Sequence, residues 1–345
     1  MENWVLLRKG ADFQHISEKF HISPRVASLI RNRDVIGDDA IEKYLNGTIA
    51  DLYDGMLMKD MDKAVAVLGE KIKENAKIRI IGDYDIDGIQ STYILLEGFR
   101  MLGADVDSDI PDRMKDGYGL NRNLIAAAEE IAYAKSMGMT IVVTDHHEVP
   151  YTEIGAGRRY ILPEADAVVD PKQEDCTYPF KGLCGAAVAY KLVEALMEAM
   201  GKDAEDADYL MENVAIATIG DVMDLVDENR IFVKQGLDML KRTENLGLKA
   251  LMECTGVNVD KLSSYHIGFV IGPCMNASGR LDTAKRALEL LEAKKVAEAD
   301  LLAGDLKALN DSRKDMTAQA VEEAFIQVEN SELKDADVLV VYLPE

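Results

Sequence analysis

The segment Ile80-Ile81-Gly82-Asp83-Tyr84-Asp85-Ile86-Asp87-Gly88 joins a β-type apolar run, through three carboxylates at alternate positions, to a helical pattern opening at Gly88. A strand that stops in acid and turns straight into a helix is the first half of a βαβ unit. It commits the chain to a parallel sheet covered by helices. Carboxylates packed this closely repel one another unless a cation sits among them. Asp83, Asp85, Asp87 and Gly88 also fit the start of an EF-hand loop. Two features exclude that loop. The position due a bidentate glutamate is Ile94, and the flank Lys77 to Ile81 is strand-like where an EF-hand needs a helix. A hard-metal site at the C-terminal end of a strand fits better.

A second strand-like run, Met139 to Thr144, ends in Asp145-His146-His147-Glu148, which holds two of the chain's five histidines. Imidazole with carboxylate suits Mn²⁺, Fe or Zn²⁺, and a carboxylate-dominated set leans towards Mn²⁺ or Mg²⁺. A third run, Ala165 to Val169, ends in Asp170-Pro171, and Asp221 follows a helical stretch. Ligands in open α/β sheets gather at the carboxyl ends of parallel strands. Three strands that each end in acid or His therefore predict one shared site.

The strings GDYDIDG, TDHHE, VVDP, GLCGAAVAYKL, ATIGDVMDL and GPCMNASGRL, in this order, resemble successive motifs of the DHH phosphoesterase family. Their spacing is similar to that of its single-strand-specific 5′→3′ DNA exonuclease branch, from about Asp60 to the C-terminus. The resemblance implies metal-dependent phosphodiester hydrolysis in DNA repair and recombination, with Mn²⁺ or Mg²⁺ as cofactor and two ions expected. By the same resemblance Asp85, Asp87, His146 and Asp221 match metal-ligand positions. Asp83 takes a supporting place, and His147 touches the scissile phosphate or acts as the acid on the leaving oxygen. Arg113 and Tyr118 match a nucleotide-contacting turn. Asn276, Ser278, Gly279 and Arg280 lie in a Gly-and-polar stretch read as a phosphate-binding loop before a helix. Gly185 is expected to serve close packing near the site.

Two departures from the family pattern stand out. Some members carry a His where this chain has Ile81. The family also has a strand ending in a metal-bridging Asp before the DHH strand, whereas Asn121 to Gly138 reads here as one continuous helical run. A strand and its turns are missing near Ile125 to Glu129, which favours weak metal retention. Two other readings follow: a phosphoesterase acting on short oligonucleotides or cyclic dinucleotides, and a non-catalytic scaffold. The leader, the long C-terminal helix and GPCMNASGRL favour the exonuclease branch over the first, and the retained ligand positions oppose the second.

The expected fold is α/β, a parallel sheet flanked by helices. A helical leader (1–58) precedes the DHH catalytic domain (59–293), a long connector helix (294–332) follows, and 333–345 begins a truncated DHHA1-like domain. Val338 to Tyr342 is read as that domain's first strand, so the chain is expected to be a fragment. No apolar run approaches the ~18 residues of a membrane span, and the N-terminus lacks a secretory pattern. Cys176, Cys184, Cys254 and Cys274 show no CxxC pairing, as expected of reduced thiols in the cytoplasm. The net charge of −23 argues against indiscriminate nucleic-acid binding. A nuclease with this balance needs acids masked by metal and bases gathered along one groove. Single-stranded DNA is the expected partner, with a single-strand-binding protein and a recombination helicase implied by the resemblance.

Overall fold

The computed structural model describes residues 9–111, 124–154, 157–281, 283–331, 334 and 336–342. Strand β1 (Lys77–Ile81) runs parallel to β2 (Asp105–Asp109), in register from Lys77 opposite Asp105 to Ile81 opposite Asp109. The Ile86–Met101 helix connects them. Further on, β3 (Val142–Thr144) is separated from its parallel partner β6 (Ala167–Val169) by an antiparallel hairpin of β4 (Tyr151–Ile154) and β5 (Gly157–Tyr160).

The α/β class and the parallel pairing are as expected, but the single sheet is not. Among the described residues, β1–β2 and β3–β6 form separate two-stranded sheets. The Leu124–Ser136 helix lies in the chain between the two halves, and its Ala-rich composition favours helix over strand. No described strand there can hydrogen-bond the two halves into one sheet.

Helices supply most of the core. Ile86–Met101 packs along Gly185–Ala199, closely enough at Gly98 that an added Cβ would meet Val193 Cγ2 at 2.4 Å. The Met211–Gly220 helix is almost wholly buried, and it packs in turn on Asp227–Leu240. Three leader helices, Phe13–Phe20, Pro24–Asn32 and Asp38–Asn46, enclose a small core of their own around Ala27, Ile30 and Ile41. Ser23 caps the second, its hydroxyl accepting from Val26 N, with Pro24 at the first helical position. The leader is tied to the Asp227–Leu240 helix by Lys43 Nζ–Asp227 Oδ1 at 2.7 Å and by the Arg230 guanidinium 3.9 Å over the Tyr44 ring. Glu228, fully buried, accepts from Tyr53 N and Tyr178 Oη and lies 3.6 Å from Lys191 Nζ.

The Val296–Glu329 helix, 34 residues and about 50 Å long at 1.5 Å per residue, buries Ala299, Ala303, Leu306 and Asn310 along its first half. Met316, Val321, Phe325 and Ile326 on its second half are exposed. Val338 to Tyr342, expected as a strand, is irregular in the structure. A lone extended segment has no ladder to join, which accounts for the difference.

Glu212, 5% exposed on the Met211–Gly220 helix, accepts a hydrogen bond from Thr243 Oγ1 at 2.8 Å. Burial pushes its carboxyl up to about 7. The native state therefore holds a proton that the unfolded chain releases near pH 4.5, and stability falls as pH rises from there through about 7. A shift of this size costs up to about 3 kcal/mol above the window. Glu212→Gln keeps an oxygen for Thr243 and removes the charge. Its Tm gain over wild type should be larger at pH 8 than at pH 5, as thermal melts would show.

Candidate metal centre

The site forms where the two strand pairs and three helices meet. Beyond β1, Gly82 N bonds to Asp109 O, and the chain turns through Asp83 and Tyr84 into Asp85, the N-cap of Ile86–Met101. Asp85 Oδ1 accepts from Gly88 N at 2.8 Å, satisfying one orphan amide of the first turn. That capping bond fixes the helix start and sends Asp87 inward.

Asp87 is 5% exposed and lies against the N-terminus of the Gly185–Ala199 helix. Its Oδ2 accepts from Gly185 N and its Oδ1 from Ala186 N, both at 2.8 Å, so two free amides and the helix dipole hold the carboxylate. His146, on the turn after β3, places Nε2 3.1 Å from Asp87 Oδ2. Asp221 comes from the C-cap of Met211–Gly220 and is followed by Val222 at φ 57°, a strained conformation for a β-branched residue. One ligand atom from each of Asp87, His146 and Asp221 falls within 4.8 Å of the others.

The electrostatics reflect crowded acid. Burial, then the charges of Asp87, Asp83 and Asp221, raise Asp85 to about 6 against the pull of the Gly88 amide. Burial and Asp87 likewise raise Asp221. Burial works against charge on Asp87 and on His146, but their mutual hydrogen bond and attraction prevail. Asp87 lies below the usual carboxylate range and His146 above the usual imidazole. His146 Nδ1 is buried with no hydrogen-bond partner. A buried imidazole whose Nε2 lies beside the Asp87 carboxylate, with Asp221 in the same group, is the donor set of a divalent cation site, so these residues fit a metal.

His147 is exposed, and its Nδ1 lies 2.8 Å from Asp145 Oδ1. The same oxygen accepts the backbone amides of His146 and His147. The Asp145 hydrogen bond is the main reason the His147 pKa is raised. Asp145 escaped sequence reasoning as an orienting group, although its place directly before the histidine pair was the available signal. Asp83 Oδ1 accepts from Tyr84 N, and Asp83 stands outside the three-ligand group beside Asp85.

The stretch containing Asn276, Ser278, Gly279 and Arg280 is not a loop. It lies within the Gly272–Leu281 helix, entered directly from a π-helical turn, Ile267–Ile271. Ser278 is fully buried, and its hydroxyl donates to Met275 O. Asn276 Oδ1 accepts from Ile86 N at 2.9 Å, and an added Cβ at Gly279 would come within 2.5 Å of Tyr84 O. This helix thus packs against the carboxylate turn through Asn276 and Gly279. Arg113, Tyr118 and the Arg280 side chain lie outside the described residues.

Residues 77–219 match the DHH family, N-terminal domain. A solved exonuclease RecJ bound to manganese is 32% identical, with a TM-score of 0.67, over 78% of this chain and 70% of that one. The chain belongs to the DHH family. Another DHH protein, RecJ from Thermus thermophilus in complex with Mn²⁺, superposes with a TM-score of 0.72 at 28% identity, covering 94% of this chain and 47% of its own. Among curated DHH relatives, the single-stranded-DNA-specific exonuclease RecJ of Bacillus subtilis (strain 168) is 37% identical over 98% of this chain. The chain spans 43% of that relative's length.

Proposed function

We propose that this chain carries the phosphodiesterase centre of a RecJ-like exonuclease, hydrolysing single-stranded DNA from its 5′ end. The observation that carries the reading is the convergence of Asp87, His146 and Asp221, with one imidazole nitrogen buried and unpartnered. Manganese-bound relatives of the same fold support it. Asp87, His146 and Asp221 would hold a Mn²⁺ or Mg²⁺, with Asp85 as the further ligand that the resemblance implies and Asp83 as a supporting carboxylate. Two ions remain the expectation from the family, although one three-ligand group gathers among the described residues.

A bound divalent ion supplies Lewis-acid polarisation of the phosphoryl oxygen and lowers the pKa of an attacking water. The chain's own residues do the rest. The Gly185 and Ala186 amides keep Asp87 oriented. Asp145 fixes the His147 ring through Nδ1, leaving Nε2 to give its proton to the leaving oxygen as the phosphorus–oxygen bond breaks. Asp145→Asn should therefore lower kcat by ~10–100-fold with KM little changed, the usual cost of losing an orienting partner at a metal site. Steady-state kinetics on a single-stranded substrate checks this.

Among the described residues, no helix is long and apolar enough to cross a membrane, and the reading places the protein in the cytoplasm beside DNA-repair partners. The divided sheet favours one competing reading, a scaffold of low activity. The test is a substrate panel with Mn²⁺: 5′-labelled single-stranded DNA, the same sequence as duplex, and a cyclic dinucleotide. The reading predicts mononucleotides released from the single strand and little from the duplex. Preferred turnover of the cyclic dinucleotide would replace it with the small-substrate reading, and inert behaviour on all three with the scaffold.

A further inference from the structure

The β4–β5 hairpin follows the histidine pair and is used by nothing described so far. Every residue of β4 is exposed, as are Gly157, Arg158 and Arg159 of β5. At its base, Ile161 N donates to Pro150 O at 2.8 Å, and the cleft beneath is lined by Asp145, His147, Pro150, Ile161 and Asp170. The hairpin therefore stands on the rim of the proposed centre. On one face Tyr151 and Tyr160 pair directly, ring centroids 5.9 Å apart and edge-on, with the Arg158 guanidinium 4.2 Å over the Tyr151 ring. Arg159 lies opposite Thr152 in the ladder. Glu153 is cross-strand from Arg158, yet neither arginine is ion-paired among the described residues.

Solitary two-stranded hairpins exposed on both faces are marginal in water and gain stability from a partner. In a chain of net charge −23, the unpaired Arg158 guanidinium beside exposed Tyr151 and half-buried Tyr160 selects a partner that is anionic and has flat apolar faces. Single-stranded nucleic acid has both: phosphates for the arginine fork and bases for the tyrosine ring. An acidic peptide has only the charge.

We propose that the β4–β5 hairpin is a substrate clamp, in which Arg158 takes a backbone phosphate of the single strand and Tyr151 stacks on a base, next to the metal centre, with Arg159 on the opposite face. This rests on the single-strand phosphodiesterase reading above. It also answers the compositional objection, because it is a local basic and aromatic surface on an acidic protein.

The test measures binding of a fluorescent oligothymidylate by anisotropy over a salt series, with Ca²⁺ in place of Mn²⁺ to suppress hydrolysis. The Arg158→Ala variant should bind several-fold more weakly at low salt. Its salt slope should fall by roughly 0.7, one phosphate contact at ~0.7. Tyr151→Leu should weaken oligothymidylate binding several-fold and leave an abasic oligomer unaffected. All these side chains are exposed, so Tm and calorimetric Mn²⁺ affinity should stay at wild-type values. If wild type binds and the variants bind equally well, the clamp is refuted and the phosphodiesterase reading stands. No binding by wild type would overturn both. Hairpin-dependent binding of poly-glutamate as tight as that of the oligonucleotide would refute nucleic acid as the occupant.

Discussion

His146→Ala should abolish Mn²⁺ binding within the measurable range and reduce hydrolysis of single-stranded DNA by at least ~10³-fold. Loss of a mere supporting partner at a metal site costs ~10–100-fold, and His146 is proposed as a direct ligand. Its Nε2 sits 3.1 Å from Asp87 Oδ2 and its Nδ1 has no protein partner. The fold should survive, because Asp87 keeps the Gly185 and Ala186 amides, and His146, though buried, is not part of the hydrophobic core. Calorimetric Mn²⁺ titration beside a thermal melt separates the two effects: binding lost, cooperative melt retained. Wild-type Mn²⁺ affinity in the variant would remove His146 from the centre.

Gly185→Ala should be nearly as damaging, although it deletes no functional group. A Cβ at Gly185 would stand 2.8 Å from Asp87 Oδ2 and 3.4 Å from His146 Cδ2. The clash can be relieved only by shifting the helix start or the carboxylate, and either loosens the amide bonds that aim Asp87. Overpacking of this kind costs ~1–3 kcal/mol, so Tm should drop by several degrees and Mn²⁺ affinity by more than tenfold. Ala186→Gly leaves the amide in place with no added bulk and should keep Mn²⁺ affinity close to wild type. Equal Mn²⁺ affinity in Gly185→Ala and wild type would show that this approach is looser than the geometry states.

The turn from β1 into Ile86–Met101 was legible in the sequence because strand, acid cluster and helix start are local signals. The same holds for β3 and its Asp-His-His. Asp221 was placed only by the family motif, since no local pattern says that the end of a helix 75 residues after His146 returns to the same point. Helix Gly272–Leu281 was misread because Gly272, Pro273 and Gly279 look like loop residues. In the structure the small size of Gly272 and Gly279 permits close contact with Ile86 and Tyr84, and the preceding π-turn accommodates a proline that would strain a continuing α-helix. Tertiary packing overrode local propensity there.

The hairpin was missed for a different reason. Its strands are four residues each, and neither faces a core that would impose a clear alternation of apolar and polar positions. Tyr151-Thr152-Glu153-Ile154 before Gly155-Ala156-Gly157 was nonetheless a usable turn signal. The division of the sheet was foreshadowed by the unbroken helical pattern ahead of β3. Its consequence, two strand pairs with separate ladders, became apparent only in the structure.

Crystals soaked in Mn²⁺ and measured at an X-ray energy where manganese scatters anomalously test the account most directly. It predicts an anomalous peak within coordination distance of Asp87, His146 and Asp221, absent from His146→Ala crystals. A peak elsewhere on the chain, or none near these three side chains at saturating Mn²⁺, would contradict the metal centre and the hydrolytic function built on it.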